Sequence, residues 1–127
     1  MTVLVDSDIL IEVFRGRNGD IVSTWLELTD SAVLFSPVSA AELWAGALPR
    51  EFDALANLFR ALTCVPIDAD IGRQAGLYMQ RYHRSHGVEI ADALIAASAA
   101  SIHARLWTRN RKHYPMKDVL LFDRLSD

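Results

Sequence analysis

Cysteine is almost missing from this chain, and that scarcity closes off two classes of protein. Cys64, the single one, has no partner for an internal disulfide and no companions for a thiolate zinc site. Within TCVPI it reads as a buried strand residue of a protein from a reducing compartment. Long apolar runs are absent too: none reaches the roughly 18 residues of a membrane span, and no basic region precedes an apolar one at the N-terminus. A soluble, cytoplasmic protein with no membrane association is expected. Repeats and low-complexity linkers are also lacking, so the 127 residues, 51% hydrophobic, are expected to fold as one domain over 1–127. Positive charge is scarce on average. The net charge of −3 argues against a nucleic-acid binder that relies on overall charge.

Locally the balance reverses. Arg105, Arg109, Arg111, Lys112 and Lys117, with His103 and His113 alongside, form a basic stretch near the C-terminus. Along the chain, short apolar runs alternate with longer helical patterns. VLV (3–5), VLF (33–35), CVPI (64–67), RLWT (105–108) and VLLF (119–122) read as strands. Helices are expected over ILIEVFR, over 21–29 after a turn at Arg17–Gly19, over Ser39–Leu48, Glu51–Leu62 and Asp70–Arg84, and from Glu89 onward. This alternation predicts a three-layer α/β/α sandwich around a mostly parallel sheet, with the direction of the last strand open. In such a sheet the strand ends share one edge, where ligands bind in open α/β folds.

Three carboxylates fall at positions that this edge would gather. Asp6 ends the first strand and begins a helix, a position that also suits an N-cap. Asp8, in the first turn, is a weaker ligand acting through water. Glu42 sits in SAAELWAG, where Ser39–Glu42 spells a capping box. Asp92 is harder to explain by structure alone, being the one charge between Ile90 and Ile102. An ionised carboxylate there needs a partner, and Glu89, three residues earlier, adds negative charge instead. Two carboxylates about 4 Å apart repel by about 4 kcal/mol at an effective dielectric of 20. A divalent cation reverses that cost, and all-oxygen donors suit Mg²⁺ or Mn²⁺ over zinc.

The fourth corner is Thr108 and Asn110 after the LWT strand, able to orient water or phosphate or simply to form a turn. Arg109, Arg111 and Lys112 beside an acidic centre suit contacts to an RNA backbone. His83 and His86 read as last-turn residues of a helix, and Trp25, Trp44, Phe14 and Phe59 as core or interface.

Together VDSDILIE, SAAELWAGA, EIADALIAASAA and LWTRNRKHYP resemble the PIN-domain family, and within it the toxins of VapBC toxin–antitoxin pairs. The resemblance spans nearly the whole chain. It implies an endoribonuclease using Mg²⁺ or Mn²⁺, with Asp6, Glu42 and Asp92 as its acidic ligands and Asn110 near the reacting phosphate. It also implies an antitoxin partner and a homodimer. Where many relatives carry a further acid, this chain offers Asn110 and His113, which puts a second metal site in question. A catalytically silent PIN-like module that binds RNA or a partner is the alternative. An aspartyl-phosphate phosphatase, suggested by the DSD motif, fits poorly, since neither its lysine nor its downstream acid pair is apparent.

Overall fold

The computed structural model describes residues 1–28 and 30–123. Among them run β1 (Thr2–Val5), α1 (Ser7–Arg15), α2 (Gly19–Leu26), β2 (Ala32–Phe35), α3 (Pro37–Ala45), α4 (Phe52–Arg60), β3 (Thr63–Cys64), α5 (Ala69–His86), α6 (Ile90–Ser101), β4 (Arg105–Trp107) and β5 (Leu120–Leu121). Tight 3-10 turns at Pro49–Glu51 and Arg111–His113 complete the path. Each strand is a short apolar run that a turn or cap cuts off, so each is brief.

All four pairings are parallel, in the order β3-β2-β1-β4-β5. The α/β/α sandwich expected from the alternation is therefore the fold, and the last strand runs parallel to β4. After β1 the chain builds outward through β2 and β3 on one side, then returns to lay β4 and β5 on the other. Between β1 and β4 the winding reverses, and the carboxyl ends of the strands at that point are where open α/β folds bind their ligands.

Alternation along β1 sorts the core into two halves. Leu4 joins Leu106 and the apolar residues of α5 and α6, while Val3 and Val5 face Ile9, Leu10, Ile21, Leu43 and Leu55 from the helices of the opposite layer. Ala93, Ala96, Ala97 and Ala99 are almost wholly buried, and these small side chains let α6 lie close to α5 and the sheet.

Helix starts follow local chemistry. Asp6, Asn18, Ser36 and Asp68 cap α1, α2, α3 and α5 by accepting a backbone N–H. Gly16 and Gly87 end α1 and α5 in the left-handed conformation, both at φ 65°. His103 does the same after α6 at φ 53°, where the Ala104 N–H closes onto the Ala99 carbonyl at 3.0 Å.

Two expectations are corrected. The capping box at Ser39–Glu42 does not form, because Pro37 favours the first helical position and Ser36 takes the cap, accepting the Val38 N–H at 3.1 Å. Ser39 lies inside α3, fully buried, with Glu42 further along. Cys64 is in a strand but exposed, since β3 is a two-residue edge strand and Val65 is the residue that enters the core. Of the helix expected over 21–29, Thr29 lies outside the described residues, as do residues 124–127 of the expected domain. Among the described residues no helix is long and apolar enough to cross a membrane.

Candidate functional site

Asp6 sits where the winding reverses. Its N–H donates to the Trp107 carbonyl at 2.9 Å, which carries the β1–β4 pairing one residue further and brings Thr108 alongside. The carboxylate is buried and well supplied with donors. Oδ1 accepts the Ser7 N–H at 2.7 Å, and Oδ2 accepts the hydroxyls of Thr108 at 2.8 Å and Tyr114 at 3.0 Å. Its capping role is therefore real, and it coexists with a place at the centre of the site.

Ser7 connects Glu42 to this centre. Its Oγ lies 2.8 Å from both Ser39 Oγ and Glu42 Oε1. With one proton to give, Ser7 donates to the carboxylate while Ser39 donates to Ser7. Glu42, exposed on α3, is thus held against the β1–α1 junction.

The other two acids are less well served. Asp8 Oδ2 accepts the Arg109 N–H at 3.0 Å, but Oδ1 is buried and has no hydrogen-bond partner among the described residues. Burial, reinforced by the charge of Asp6, holds the Asp8 carboxyl above the usual carboxylate range. Asp92 is shifted the same way by burial, partly offset by the Glu89 N–H and by His113. The first of these is a hydrogen bond at 3.0 Å to Asp92 Oδ2; the second places His113 Nδ1 at 3.4 Å from the same oxygen. Glu89 is therefore not only an added negative charge. It precedes α6, and its backbone supplies the donor that its side chain cannot.

The segment from Thr108 to Tyr114 is folded onto these acids. Thr108 and Tyr114 bind Asp6, the Arg109 backbone binds Asp8, and His113 faces Asp92. Asn110 stays half-buried within the loop, its N–H donating to Thr108 Oγ1 and its amide lying 2.9 Å from His113 Nδ1. It does not bond any of the four carboxylates. The basic stretch read from sequence is split: Arg105 opens β4 and Lys117 precedes β5, at the amino ends of parallel strands and thus at the sheet edge opposite Asp6. Arg109, Arg111 and Lys112 remain on the site side, exposed. Arg109 reaches Glu12 at 3.4 Å, Arg111 donates to the Phe122 carbonyl at 3.4 Å, and Lys112 has no ion-pair partner among the described residues.

The roles of Ser7, Ser39 and Tyr114 were not picked out from sequence. Ser7, between two acids in DSD, carried a signal that could have been used; Ser39 was read only as a cap, and Tyr114, within RKHYPMK, carried no signal. Tyr114 is 3% exposed, and burial together with the charges of Asp6, Asp92 and Asp8 raises its phenol far above the ordinary value. It remains a donor. Trp44, expected in core or interface, is exposed on α3 and meets Phe52 edge-on at 5.6 Å.

The donor chemistry suits a hard divalent cation, given all-oxygen ligands, an orphaned buried Asp8 oxygen and two carboxyls raised by burial. Among the described residues no group of three or more His, Cys, Asp or Glu side chains is placed so that it could hold a metal ion. Mg²⁺ does not require one, since it keeps several waters and takes one or two carboxylates. A cavity of about 530 Å³ lies at the other end of α6 and is lined by Asp68, Asp70, Arg73 and Asp118, with none of the expected site residues.

A five-stranded parallel sheet with acids at its switch point places this chain in a known class: the PIN-domain family model matches residues 3–119, and the chain belongs to that family. It is 37% identical over 121 residues to Ribonuclease VapC10 of Mycobacterium tuberculosis, covering 93% of this chain and 90% of that protein. To Ribonuclease VapC19 of the same species it is 34% identical, covering 89% and 92%. Its fold superposes on DNA-bound VapBC from Salmonella typhimurium with a TM-score of 0.82 at 18% identity, covering 97% of this chain and 98% of the other.

Proposed function

We propose that the protein is an endoribonuclease that hydrolyses RNA phosphodiester bonds with Mg²⁺ or Mn²⁺, and that it is the toxin of a toxin–antitoxin pair. The observation that carries this reading is the loop from Thr108 to Tyr114, which brings Arg109, Arg111 and Lys112 to the rim of the acidic centre by bonding to its carboxylates. Anionic backbone and cation-binding acids are thus served from one short segment. The names of the similar proteins, Ribonuclease VapC10 and VapC19, support the same class of chemistry.

Asp6 and Asp92 hold the cation in this reading, with Glu42 close by and braced by Ser7. Bound there, a divalent cation supplies charge neutralisation at the phosphate and a nucleophile at neutral pH. The chain's own contribution is placement: Ser7, Thr108 and Tyr114 fix Asp6, Ser7 fixes Glu42, and the Glu89 N–H and His113 fix Asp92. Lys112 is the freest of the three basic residues to meet RNA. Asn110, bonded within the loop, shapes that segment and in this reading orients water or phosphate there.

An antitoxin partner follows from the same reading, and solved structures of similar fold, VapBC from Salmonella typhimurium and a toxin-antitoxin complex from Klebsiella pneumoniae, support it. Trp44, Leu48 and Phe52 present exposed apolar surface beside Glu42 that a helix of such a partner would cover. A homodimer is part of the proposal as well, to be read from sedimentation.

Purified protein is incubated with total RNA and Mg²⁺, Mn²⁺ or EDTA, beside an Asp92→Asn variant prepared in parallel to exclude a contaminating nuclease. Discrete cleavage that needs both metal and Asp92 is expected. Cleavage by the variant equal to wild type would refute the assignment, and metal binding with no cleavage of any RNA would favour the silent binding module.

A further inference from the structure

Asp6 has four lone-pair sites, two on each oxygen, and three of them are already taken. Oδ2 accepts two hydroxyl protons, from Thr108 at 2.8 Å and Tyr114 at 3.0 Å, and Oδ1 accepts the Ser7 N–H at 2.7 Å. One site is left, on Oδ1. We propose that Tyr114 is a positioning residue which, with Thr108, fully occupies Oδ2 and so restricts Asp6 to holding a divalent cation through a single oxygen. This rests on the metal-site reading above.

Neither hydroxyl is easily displaced. Thr108 is 5% exposed and Tyr114 3%, so water has little access to replace either bond. The Tyr114 ring belongs to the buried core that also holds Val88, Met116 and Tyr78. Both donors are set by the ends of one loop, residues 108 and 114, so the loop that carries the basic side chains also fixes the orientation of Asp6. A carboxylate oriented this way approaches a cation along one direction. For Asp6 to chelate with both oxygens, a buried charge-assisted hydrogen bond would have to break.

The test is Mn²⁺ binding to the whole protein by titration calorimetry, with no RNA present. Tyr114→Phe keeps the ring and removes only the hydroxyl. Losing an outer hydrogen bond to a metal ligand typically weakens metal affinity by about 10–100-fold, and a loss of at least about tenfold is expected. Tyr114→Leu removes the ring as well. If the hydroxyl is what matters, Leu and Phe weaken Mn²⁺ binding alike while Leu lowers the thermal midpoint further. Unchanged or tighter Mn²⁺ binding by Tyr114→Phe, the result if only the basicity of the carboxylate counted, would overturn the proposal. So would Leu weakening Mn²⁺ binding well beyond Phe, which would make the effect one of packing. A wild-type protein that binds Mn²⁺ yet leaves RNA intact overturns the ribonuclease reading alone, whereas a wild type with no Mn²⁺ affinity overturns the metal site and this inference with it.

Discussion

Asp6 and Asp92 lie at one edge of one sheet, close enough for the charge of Asp6 to disfavour ionisation of Asp92, and their surroundings differ sharply. Asp6 is buried at 7% exposure and accepts three hydrogen bonds from three separate residues. Asp92 has one backbone donor and a histidine at 3.4 Å, and burial raises its carboxyl. Asp8 resembles Asp92, with one bonded oxygen and one orphan. The site thus has one anchored acid, at the end of β1 beside β4, and two under-supplied ones, in the first turns of α1 and α6. An acid that is already satisfied belongs to the scaffold and lends one lone pair. An acid short of donors is where a cation, or a proton, lowers the free energy most.

The sharpest way to break this contrast is to neutralise each acid. Asp6→Asn and Asp92→Asn should both cut RNA cleavage by about a hundredfold or more, since each removes an anionic ligand. Their stabilities should part. Asp6→Asn weakens hydrogen bonds to a charged group, each worth about 1.5–3 kcal/mol, and should lower the thermal midpoint in EDTA by several degrees. Asp92→Asn relieves an under-compensated charge and should raise it at pH 7. Equal destabilisation by both would remove the distinction.

Acidity sharpens the same contrast. Because the folded-state value of Asp92 is raised above the ordinary 3.8, the folded protein holds that proton more tightly than the unfolded chain does. The ionised carboxyl therefore costs stability at neutral pH, in full above the raised value, and the cost disappears as pH falls through that value to below 3.8. The stability advantage of Asp92→Asn over wild type should shrink to nothing over that interval. A calorimetric series in EDTA checks it, and an advantage that persists at pH 3.5 would contradict the assignment.

Glu42 offers a smaller test. Gln keeps an oxygen to accept the Ser7 hydroxyl, so Glu42→Gln should hold the thermal midpoint within a few degrees while losing divalent-metal binding. Ser39→Ala, which removes the fully buried hydroxyl behind Ser7, should cost about 1 kcal/mol. The smallest effects belong to the basic rim. Lys112→Ala should flatten the dependence of RNA affinity on salt by about one logarithmic unit. Arg109→Ala should flatten it less, because Glu12 already offsets that charge at 3.4 Å.

Much of this was legible before the structure, and what was not has a common cause. Strands, helices and the four acid-bearing or polar segments announce themselves through period and local caps, signals carried within a few residues. The start of α3 was misplaced because Ser39–Glu42 imitates a cap, while Ser36–Pro37 supplies the one that forms. Cys64 misled through its apolar neighbours, although a two-residue edge strand leaves it exposed. Ser7, Ser39 and Tyr114 stayed hidden because their roles exist only in contacts made across 32, 35 and 108 positions of chain. No local pattern encodes a hydroxyl's distant partner.

Those separations have a consequence for synthesis. Asp6 meets Thr108 and Tyr114 only when residues 102 and 108 positions later have been made. At about 5–20 residues per second, Asp6 waits roughly 5–20 s after its own synthesis for the loop that supplies these donors. Until then β1 lacks its β4 neighbour, and the site is not assembled. A chain released early would carry Asp6, Glu42 and even Asp92, yet no basic loop to orient them. On the proposed reading, cleaving activity therefore waits until the loop from Thr108 to Tyr114 has been made and folded onto Asp6.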